Sequence, residues 1–570
     1  MKIKNIFSIS MAVLAMMPLA SCIDGNDWET DASHDRLFGV NSSKLSVETD
    51  DNAPTKATVE FTPYDKNGEY YIVELSTDTL TDDVPMGGTE TQKTVVYGND
   101  PENRITKSPV ELSGLSEYTK YYLRVKVMSS TKNESKWVYY KSGASFRTPG
   151  VLRDVADADR LDTSVRLTWI AGTHATHIVM TTNVDDEPVS DQINLTEEDL
   201  AKAEKTITGL TPNNTYTFAI YNGEILLGEV KLKTAKGMPS ADFQAYLDDD
   251  ATELTQTMLE EFASTAIGNS TSEIATLAIG IPAGKTISFG TADGTGGLTI
   301  PSGVSVTFFG RAGAKATLNA YKSMKYEDGA TAGFLSFEHV IINGNYDADG
   351  GKKGCEYLFN QSGACTVDSI GFTECEIYNL NSSLLRAQGG QTINKVSVDN
   401  CIVNNHAGAY AFFCFDKAKT VVNNITLKNS TFSNVCLGKK SFIDVTNAVA
   451  GLKINVESCT FYNLLGDGAY FISAKSAPDN GVTANINKTL FAKTFQETAR
   501  GYQKKETVTI SGSATYLAKD FVMGSGSFAD KFLSVDEVSS GIFKKPSELN
   551  FTIKNSVLQN DQVGDPRWLK

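Results

Sequence analysis

The sequence has no excess of positive charge, and this absence bears first on nucleic-acid binding. Its 570 residues include 52 Lys and Arg against 68 Asp and Glu, so the formal net charge is −16. Proteins that bind DNA or RNA need a basic surface to neutralise the phosphates. We therefore expect no nucleic-acid partner.

Motifs for several kinds of catalysis are also absent. No CxxC pair of the kind that zinc sites use is present, and the five His residues form no nucleophile–base arrangement. No phosphate-binding loop occurs, and the aspartates do not cluster as a polygalacturonase-type hydrolase would require. These absences favour a binding function or a lyase over a hydrolase or a nucleotide-dependent enzyme.

Proline is scarce, with 15 residues, and helix signals are few, whereas Gly, Ser, Thr and Asn are abundant. This composition predicts an all-β protein, and the length predicts three or four domains. The one helical candidate is residues 240–267, where Ser240 can act as the cap and apolar residues recur at helical spacing. We expect this helix to cover the open end of the β-structure that follows it.

A pattern of alternating apolar residues recurs through residues 335–463. Its small residue steps by 26, 29 and 29 positions, and its clearest copies each end in Asn: Cys375 with Asn379, Cys401 with Asn405, Ser430 with Asn434, and Cys459 with Asn463. A fixed period of this size indicates a repeat architecture, and the alternation indicates strands. We expect the Cys column to be an inward stack of free thiols and the Asn column to be structural.

A second apolar position advances in step with the first. It is occupied in successive repeats by Phe359, Leu385, Phe413, Ile443 and Ile472. Two registers that advance together predict the coils of a right-handed parallel β-helix. The pattern returns at residues 551–560, which predicts a further coil there. Cys355 and Cys365 could pair, but their spacing alone does not decide it.

The first 22 residues form a targeting segment, with Lys2 and Lys4 before an apolar run that is too short to span a bilayer. The box that ends in Cys22 resembles a bacterial lipoprotein signal, which implies lipidation of Cys22 and a lipid anchor in the outer membrane. The acidic linker at 23–36 resembles the export signal of Bacteroidetes surface lipoproteins. It implies that the protein faces the cell exterior.

Two regions resemble fibronectin type III domains. In residues 37–149 the segment around Tyr121 resembles the tyrosine corner of that family, and in residues 150–236 the segment around Tyr216 is a closer match. Trp169 resembles the core Trp of the same fold. The predicted order is therefore two β-sandwiches, a helical linker at 237–270, and a parallel β-helix over 271–570.

The β-helix region carries two further resemblances. Residues 277–310 resemble the first coils of pectate-lyase-like β-helices, and the Gly-Asp-Pro-Arg-Trp motif at 564–568 resembles that of uncharacterised C-terminal domains in Bacteroidetes lipoproteins. Such proteins accompany outer-membrane glycan-import systems, often for pectin. The resemblance implies a pectin-type polysaccharide and outer-membrane glycan-import proteins as partners.

One face of the predicted β-helix gathers candidate site residues. If Phe359 and its equivalents point inward, Arg386 and Asp444 point outward from one face of the stacked coils. Gln388, Asp416 and Lys475 lie two positions further along their strands and share that face. The predicted glycan-binding residues are Arg386, Gln388, Lys475 and Tyr378. The simpler interpretation, solvated charges on an exposed sheet, remains open.

Two alternatives to glycan binding follow from the same residues. Pectate-lyase-like enzymes use carboxylates to hold Ca²⁺ and a basic residue to abstract a proton, so Arg386 would be catalytic and Asp416 and Asp444 would bind the metal. Two aspartates supply few ligands for Ca²⁺, and no family motif surrounds Arg386. The third hypothesis is a scaffold or adhesin that binds protein.

Overall fold

The computed structural model describes residues 36–569, apart from 65–66, 291–295, 348, 352–353, 447–450, 480 and 504–505. Cys22 and the acidic linker up to residue 35 lie outside the described residues. The described chain is nearly all β, with 9% helix. It forms two compact units, of which the second contains 155–167, 206–215 and the chain from 232 onward. No helix in these ranges has both the length and the apolar character needed to cross a bilayer.

The first region is a fibronectin type III-like sandwich of two antiparallel sheets. Its strands are β1 (Ser46–Thr49), β2 (Lys56–Glu60), β3 (Tyr70–Ser76), β4 (Thr94–Tyr97), β5 (Val110–Ser113), β6 (Lys120–Met128), β7 (Val138–Tyr139) and β8 (Ser145–Arg147), with 3₁₀ turns at Ser42–Lys44, Pro101–Asn103 and Tyr140–Gly143. The sheet orders are β1-β2-β5 and β4-β3-β6-β7, and β8 also pairs with β6. The Tyr121 hydroxyl accepts a hydrogen bond from the Ser116 amide at 2.9 Å, which confirms the predicted tyrosine corner.

A buried ion pair joins the neighbouring strands β3 and β6 of this sandwich. The side chains of Arg124 and Glu74 have no solvent exposure, and Nε of Arg124 donates to Oε2 of Glu74 at 2.8 Å. The two Nη groups of Arg124 donate to the carbonyl oxygens of Thr81 and Val84 at 2.7 and 2.8 Å. The Trp137 ring lies 4.1 Å from the guanidinium carbon. Each nitrogen of this arginine therefore has a hydrogen-bond acceptor.

The second region is also fibronectin type III-like. It contains β9 (Ser164–Thr168), β10 (His177–Val184), β11 (Glu187–Asn194), α1 (Glu197–Lys202), β12 (Glu204–Thr208), β13 (Thr215–Asn222) and β14 (Ile225–Lys233), with a 3₁₀ turn at Asp157–Asp159. One sheet has the order β11-β10-β13-β14, and β12 pairs with β9. Trp169 and Tyr216 are both buried, as the sequence predicts.

The predicted helix at 240–267 is wrong in its first half. Residues Phe243–Tyr246 form a strand, β15, and only Gln256–Asn269 form the helix, α2. β15 pairs in parallel with the first full strand of the β-helix, so sheet hydrogen bonds outweigh the helical spacing. Thr255, and not Ser240, caps α2 by accepting a hydrogen bond from the Met258 amide. Buried Leu259 on α2 belongs to the β-helix core, so the helix covers that end as expected.

The β-helix repeats three strands in each coil. Its strands are β16 (Ala275–Ile281), β17 (Thr286–Phe289), β18 (Leu298–Ile300), β19 (Val304–Gly310), β20 (Ala316–Ala320), β21 (Met324–Tyr326), β22 (Ala330–Glu338), β23 (Val340–Asn343), β24 (Tyr357–Gln361), β25 (Cys365–Thr373), β26 (Glu376–Leu380), β27 (Ser383–Ala387), β28 (Gln391–Asp399), β29 (Ile402–His406), β30 (Phe413–Cys414), β31 (Val421–Lys428), β32 (Thr431–Ser433), β33 (Ile443–Asp444), β34 (Leu452–Glu457), β35 (Thr460–Tyr462), β36 (Tyr470–Ser473), β37 (Val482–Asn487), β38 (Leu490–Phe491), β39 (Arg500–Tyr502), β40 (Val508–Ser511), β41 (Tyr516–Ala518) and β42 (Leu533–Val535).

These strands form three parallel sheets. Sheet A runs β15-β16-β19-β22-β25-β28-β31-β34-β37-β40, sheet B runs β17-β20-β23-β26-β29-β32-β35-β38-β41-β42, and sheet C runs β18-β21-β24-β27-β30-β33-β36-β39. The solenoid has about eight turns, which confirms the predicted parallel β-helix. Each coil buries its apolar face only against its neighbours.

The core consists of like side chains stacked along the axis. The rings of Phe337 and Phe372, one coil apart, are parallel with centroids 5.0 Å apart. At the predicted rung position the Cys375 amide donates to the Cys401 sulfur at 3.4 Å. The seven described cysteines are free and buried, Cys355 and Cys365 included. The predicted inward stack of thiols is confirmed.

The asparagine column is a ladder of side-chain amides. Nδ2 of Asn405 donates to Oδ1 of Asn379, and Nδ2 of Asn463 donates to Oδ1 of Asn434, both at 2.7 Å. The four Asn of the column have φ between +53° and +62°, the left-handed region that Asn tolerates better than most residues. Their role is thus to shape the turn of each coil.

The coil predicted at residues 551–560 does not exist. Phe551 and Ile553 lie in β44 (Asn550–Ile553), which is antiparallel to β43 (Phe543–Lys545). Between or beside these strands are α3 (Ser539–Ile542), α4 (Ser556–Asn560) and a 3₁₀ turn at Pro546–Glu548. The Asn555 side chain accepts a hydrogen bond from the Leu558 amide, so it starts a helix where the repeat pattern predicts a strand.

The segment at 564–568, which we call the C-terminal strap, crosses successive coils and ends in a 3₁₀ turn at Pro566–Trp568. Oδ2 of Asp565 accepts a hydrogen bond from the Thr431 hydroxyl at 2.7 Å, and the Asp565 amide donates to the Thr460 hydroxyl at 2.9 Å. Nη2 of Arg567 donates to Oδ1 of Asn400 at 2.6 Å. The Gly-Asp-Pro-Arg-Trp motif thus has a structural role.

Candidate functional site

Sheet C places two of the predicted site residues, Arg386 and Asp444, in one column. Phe359, Leu385, Phe413, Ile443 and Ile472 are buried and are successive register partners. The residues that follow them form a parallel column on the other face of the sheet: Asn360, Arg386, Cys414, Asp444 and Ser473. Arg386 and Asp444 therefore lie two coils apart on the same face, as the repeat predicts.

Arg386 lies between two tyrosine rings. Its Nη1 donates to the Tyr357 hydroxyl at 2.8 Å, and its guanidinium carbon is 4.8 Å from the Tyr357 ring centroid and 4.5 Å from that of Tyr410. The two rings meet edge to face, with centroids 5.6 Å apart. Lys440 Nζ lies 5.5 Å from the Tyr410 centroid. Cations over aromatic faces are attracted to the ring quadrupole, so these residues form one Tyr–Arg–Tyr cluster.

The protonation state of this cluster is set by burial. Desolvation raises the pKa of Tyr357 to about 12, so its hydroxyl keeps its proton at neutral pH. That hydroxyl accepts from Arg386 and retains its own hydrogen for another acceptor. Tyr410 is 37% exposed, so one ring of the cluster is open to solvent.

Two buried polar atoms in strand β27 have no hydrogen-bond partner. They are Nε of Arg386 and Oγ of Ser383, and no other buried side-chain nitrogen or oxygen in the described ranges lacks one. Ser383 is the register partner of Tyr357, so both atoms lie beside the tyrosine cluster. A buried polar atom without a partner costs about 1–3 kcal/mol, so these two atoms lower the stability of this part of the strand.

The acidic side of the column lies one and two coils beyond Arg386. The thiol of Cys414 donates to Oδ1 of Asp416 at 3.4 Å, and the Thr446 hydroxyl donates to Oδ1 of Asp444 at 2.5 Å. Burial raises the pKa of Asp444, and the charge of Asp416 raises it further. Burial also raises the pKa of Cys414 to about 12, so it remains a thiol.

The two aspartates do not form a Ca²⁺ site. Ca²⁺ takes six to eight oxygen ligands, whereas Asp416 and Asp444 have the thiol of Cys414 beside them, which is a ligand of softer metals. Throughout the described part of the chain, no group of three or more His, Cys, Asp and Glu side chains is arranged to hold a metal ion. These residues therefore do not fit the ion that a calcium-dependent lyase needs.

The other predicted glycan-binding residues are divided between two sheets. Gln388 lies near Arg386, and its Nε2 donates to Oδ1 of Asn360 at 2.7 Å. Lys475 is exposed in the turn after β36, three coils further on. Tyr378 belongs to β26 in sheet B, where its hydroxyl donates to Glu376 at 2.8 Å. The structure thus brings Gln388 to Arg386 but places Tyr378 elsewhere.

Sequence reasoning missed the partners of Arg386. Tyr357 precedes the inward pair Leu358-Phe359, and Tyr470 precedes the equivalent pair Phe471-Ile472. This recurrence at one strand position is a signal that could have identified both tyrosines. Tyr410 was visible as an aromatic residue, but its position over Arg386 depends on the loop before β30.

The second compact unit also has a cavity of about 550 Å³. Two of its lysines are paired with glutamates of the same lining, because Lys236 contacts Glu374 at 3.2 Å and Lys315 contacts Glu376 at 3.0 Å. Arg567, which belongs to the C-terminal strap, lies 3.2 Å from Asp565. Arg160 and Lys233 also line the cavity, so its cations outnumber its two glutamates.

Two family models match the β-helix region. Residues 293–435 match a domain of unknown function, DUF4957, and residues 454–568 match a domain of unknown function, DUF5123. No curated protein matches the sequence.

Solved structures resemble the N-terminal part of the chain. A two-domain fibronectin type III segment from chicken tenascin is 14% identical, with 34% of this chain and 99% of that chain covered and a TM-score of 0.19. The central fibronectin III array of RIM-binding protein is 13% identical, with 36% and 64% covered and a TM-score of 0.13. The FN1–FN3 domains of chicken CNTN1 are 14% identical, with 35% and 66% covered and a TM-score of 0.13. The sheet order and the tyrosine corner identify the sandwich fold independently.

Proposed function

We propose that this protein is a cell-surface lipoprotein of the Bacteroidetes type that binds an extended polysaccharide of the pectic class. The observation that carries the proposal is the Tyr357–Arg386–Tyr410 cluster at the head of a polar column on sheet C. Aromatic faces present apolar area to sugar rings, and a guanidinium fork matches a carboxylate.

The shape of the face favours an extended ligand. The column continues from Arg386 past Cys414 to Asp444 and Ser473, one residue per coil at a spacing of about 4.8 Å. Arg386 and Asp444 are partly exposed, whereas Cys414 and Ser473 are buried, so a polymer lying along the axis would meet a polar side chain of this column at alternate coils. A compact ligand or a globular protein partner would not use this repetition.

The proposed location follows from the sequence before the sandwiches. Lipidation at Cys22 would anchor the protein in the outer membrane, and the acidic linker would direct it to the exterior. The two sandwiches would then act as spacers between the membrane and the β-helix. Glycan-import proteins of the same membrane are the proposed protein partners.

Binding is tested by affinity electrophoresis of the purified chain in gels that contain polygalacturonate, other acidic glycans or neutral glycans. We expect retardation by an acidic polysaccharide, and we expect Arg386→Ala to weaken binding roughly tenfold or more, because arginine and tyrosine dominate binding energies. Arg311→Ala is a matched control, since Arg311 lies 5.8 Å from the Tyr246 ring in the same β-helix but outside sheet C.

Three outcomes would overturn the proposal. One is the absence of retardation by every glycan, and another is equal loss of binding in the Arg386→Ala and Arg311→Ala variants. The third is release of an unsaturated product that a chelator prevents, since this would establish the lyase alternative in place of simple binding.

A further inference from the structure

Sheet C contains a second pair formed by a tyrosine and an arginine from neighbouring coils. Nη1 of Arg500 donates to the Tyr470 hydroxyl at 2.8 Å, and the guanidinium carbon lies 5.2 Å from the Tyr470 centroid. In both pairs the tyrosine belongs to one coil and the arginine to the next. Their registers differ, because Arg500 is itself the register partner of Tyr470, whereas Arg386 lies three residues beyond Ser383, the register partner of Tyr357. Arg500 is exposed. No residue of this second pair belongs to the site proposed above.

The two pairs are four coils apart on the same sheet. Tyr357 lies two residues before Phe359, and Tyr470 lies two residues before Ile472. Phe359 and Ile472 are connected by four successive register steps. At about 4.8 Å for each step, equivalent atoms of the two tyrosines are about 19 Å apart along the axis.

A continuous edge of loops joins the pairs. Tyr410, Lys440, Asp467 and Thr498 lie in the loops that precede β30, β33, β36 and β39. Lys440 lies over the Tyr410 ring, and in the next step Lys439 contacts Asp467 at 3.0 Å. The Thr498 hydroxyl donates to Asp467 at 2.8 Å. The loops are thus linked from the first pair to the second.

Polar contacts also join the pairs across the strands. The Thr446 hydroxyl lies 3.3 Å from the Ser473 hydroxyl, and Ser473 donates to Oε1 of Gln503 at 3.0 Å. These residues continue the column that begins at Arg386. The polar groups between the first pair and Arg500 are thus bonded to one another, and Ser473 among them is buried.

We propose that Tyr470 and Arg500 form a second subsite for the same acidic glycan, so that the protein measures the length of its ligand. This inference rests on the proposed function. A ligand shorter than about 19 Å engages one pair at a time, whereas a longer chain engages both. The second contact is then intramolecular and raises the apparent affinity on the order of a hundredfold.

The test uses an oligosaccharide ladder cut from the polysaccharide that binds, with affinities measured by titration calorimetry on the full chain. For the unaltered protein we expect a step in affinity on the order of a hundredfold at the length that spans both pairs. Arg500→Ala removes the step and leaves short-chain binding through the first pair. Arg386→Ala weakens the binding of every length.

Two further variants keep the inference testable. Arg500→Lys retains the positive charge but not the planar guanidinium group. We expect this variant to fold normally and to show a smaller step in affinity with oligosaccharide length. Tyr470→Phe removes only the hydroxyl that accepts from Arg500, and we expect a smaller reduction in the same direction. Arg311→Ala serves again as the control and should behave as the unaltered chain.

The outcomes separate the two proposals. If no oligosaccharide or polysaccharide binds, the proposed function itself is wrong. If Arg386→Ala abolishes binding while affinity is independent of length, or if the step survives in Arg500→Ala, only the second subsite is overturned.

Discussion

The first sandwich and sheet C of the β-helix each hold an arginine beside aromatic rings, and the two arginines differ in how their donors are used. Arg124 is fully buried beside Trp137, and its donors reach Glu74 and two backbone carbonyls. Arg386 is only half-buried between Tyr357 and Tyr410, and its Nε has no partner.

This difference distinguishes an arginine that stabilises the fold from one that can bind a ligand. A buried charge is tolerated only when its hydrogen bonds are complete, so Arg124 is committed to the sandwich. Arg386 is partly exposed, donates to a neutral hydroxyl and lies beside the exposed ring of Tyr410, so its charge remains available to another molecule. The rule extends to other titratable groups in the chain, and three substitutions test it in order of expected effect.

The largest effect is expected from Glu74→Gln in the first sandwich. It leaves the charge of Arg124 buried without its counter-ion, which typically costs 3–5 kcal/mol. Native-state hydrogen exchange should show this loss in peptides from β3 and β6 but not in the β-helix, and glycan binding should be unchanged. Glu134→Gln is the control, because Glu134 is 51% exposed and its pair with Lys126 should contribute less than about 1 kcal/mol. Equal losses in the two variants would contradict the structural role of Arg124.

His406 in the β-helix core should have a structural role like that of Arg124, and not a binding role like that of Arg386. Its Nε2 donates to the Ser382 carbonyl and its Nδ1 accepts from the Cys436 amide at 3.1 Å, so the ring is neutral and satisfied. Burial lowers the pKa of His406 to about 4. The unfolded chain binds its proton near pH 6.5, so stability is present above that pH and is lost as pH falls toward 4, by about 3 kcal/mol.

His406→Gln isolates this contribution. Between neutral pH and pH 4 we expect the β-helix of the variant to lose less stability than the β-helix of the unaltered chain. Hydrogen exchange of peptides from β29 and β32, corrected for the pH dependence of the intrinsic exchange rates, measures this difference. Peptides from the first sandwich provide the internal reference. The same slope in both proteins would show that His406 is not the group that titrates.

The smallest effect is expected from Asp444→Asn, which tests the proposed binding face of sheet C. Burial and the charge of Asp416 raise the pKa of Asp444, so its charge is lost as pH falls. An acidic glycan should bind more tightly as that charge disappears, and the variant should bind roughly threefold tighter at neutral pH, the size of one weak repulsion between like charges. Calorimetry at two pH values checks this. Asp368→Asn on sheet A is the control, and tightening there as well would point to net charge and not to the column.

The repeat predicted much of this molecule because register is fixed by side chains that alternate between two faces. The period placed Cys375 next to Cys401, Asn379 next to Asn405, and Arg386 in the column of Asp444. It failed at Phe243 and Phe551, where short apolar runs fit both helix and strand patterns and the decision came from a sheet edge or a capping Asn.

The candidate site was only partly predictable for a related reason. Tyr378 and Arg386 are eight residues apart, but the turn at 381–382 moves the chain from sheet B to sheet C between them. The contact of Tyr410 with Arg386 depends on the loop before β30, whose path the period does not determine. Strand register is thus readable from one sequence, whereas loop placement requires coordinates.

The C-terminal strap has a consequence for how the solenoid comes apart. A stack in which each coil touches only its neighbours can fray from its end one coil at a time. Residues Asp565 and Arg567 instead fasten to Asn400, Thr431 and Thr460, which belong to three successive coils. Those coils must then separate together, so the strap converts gradual fraying into a single cooperative step.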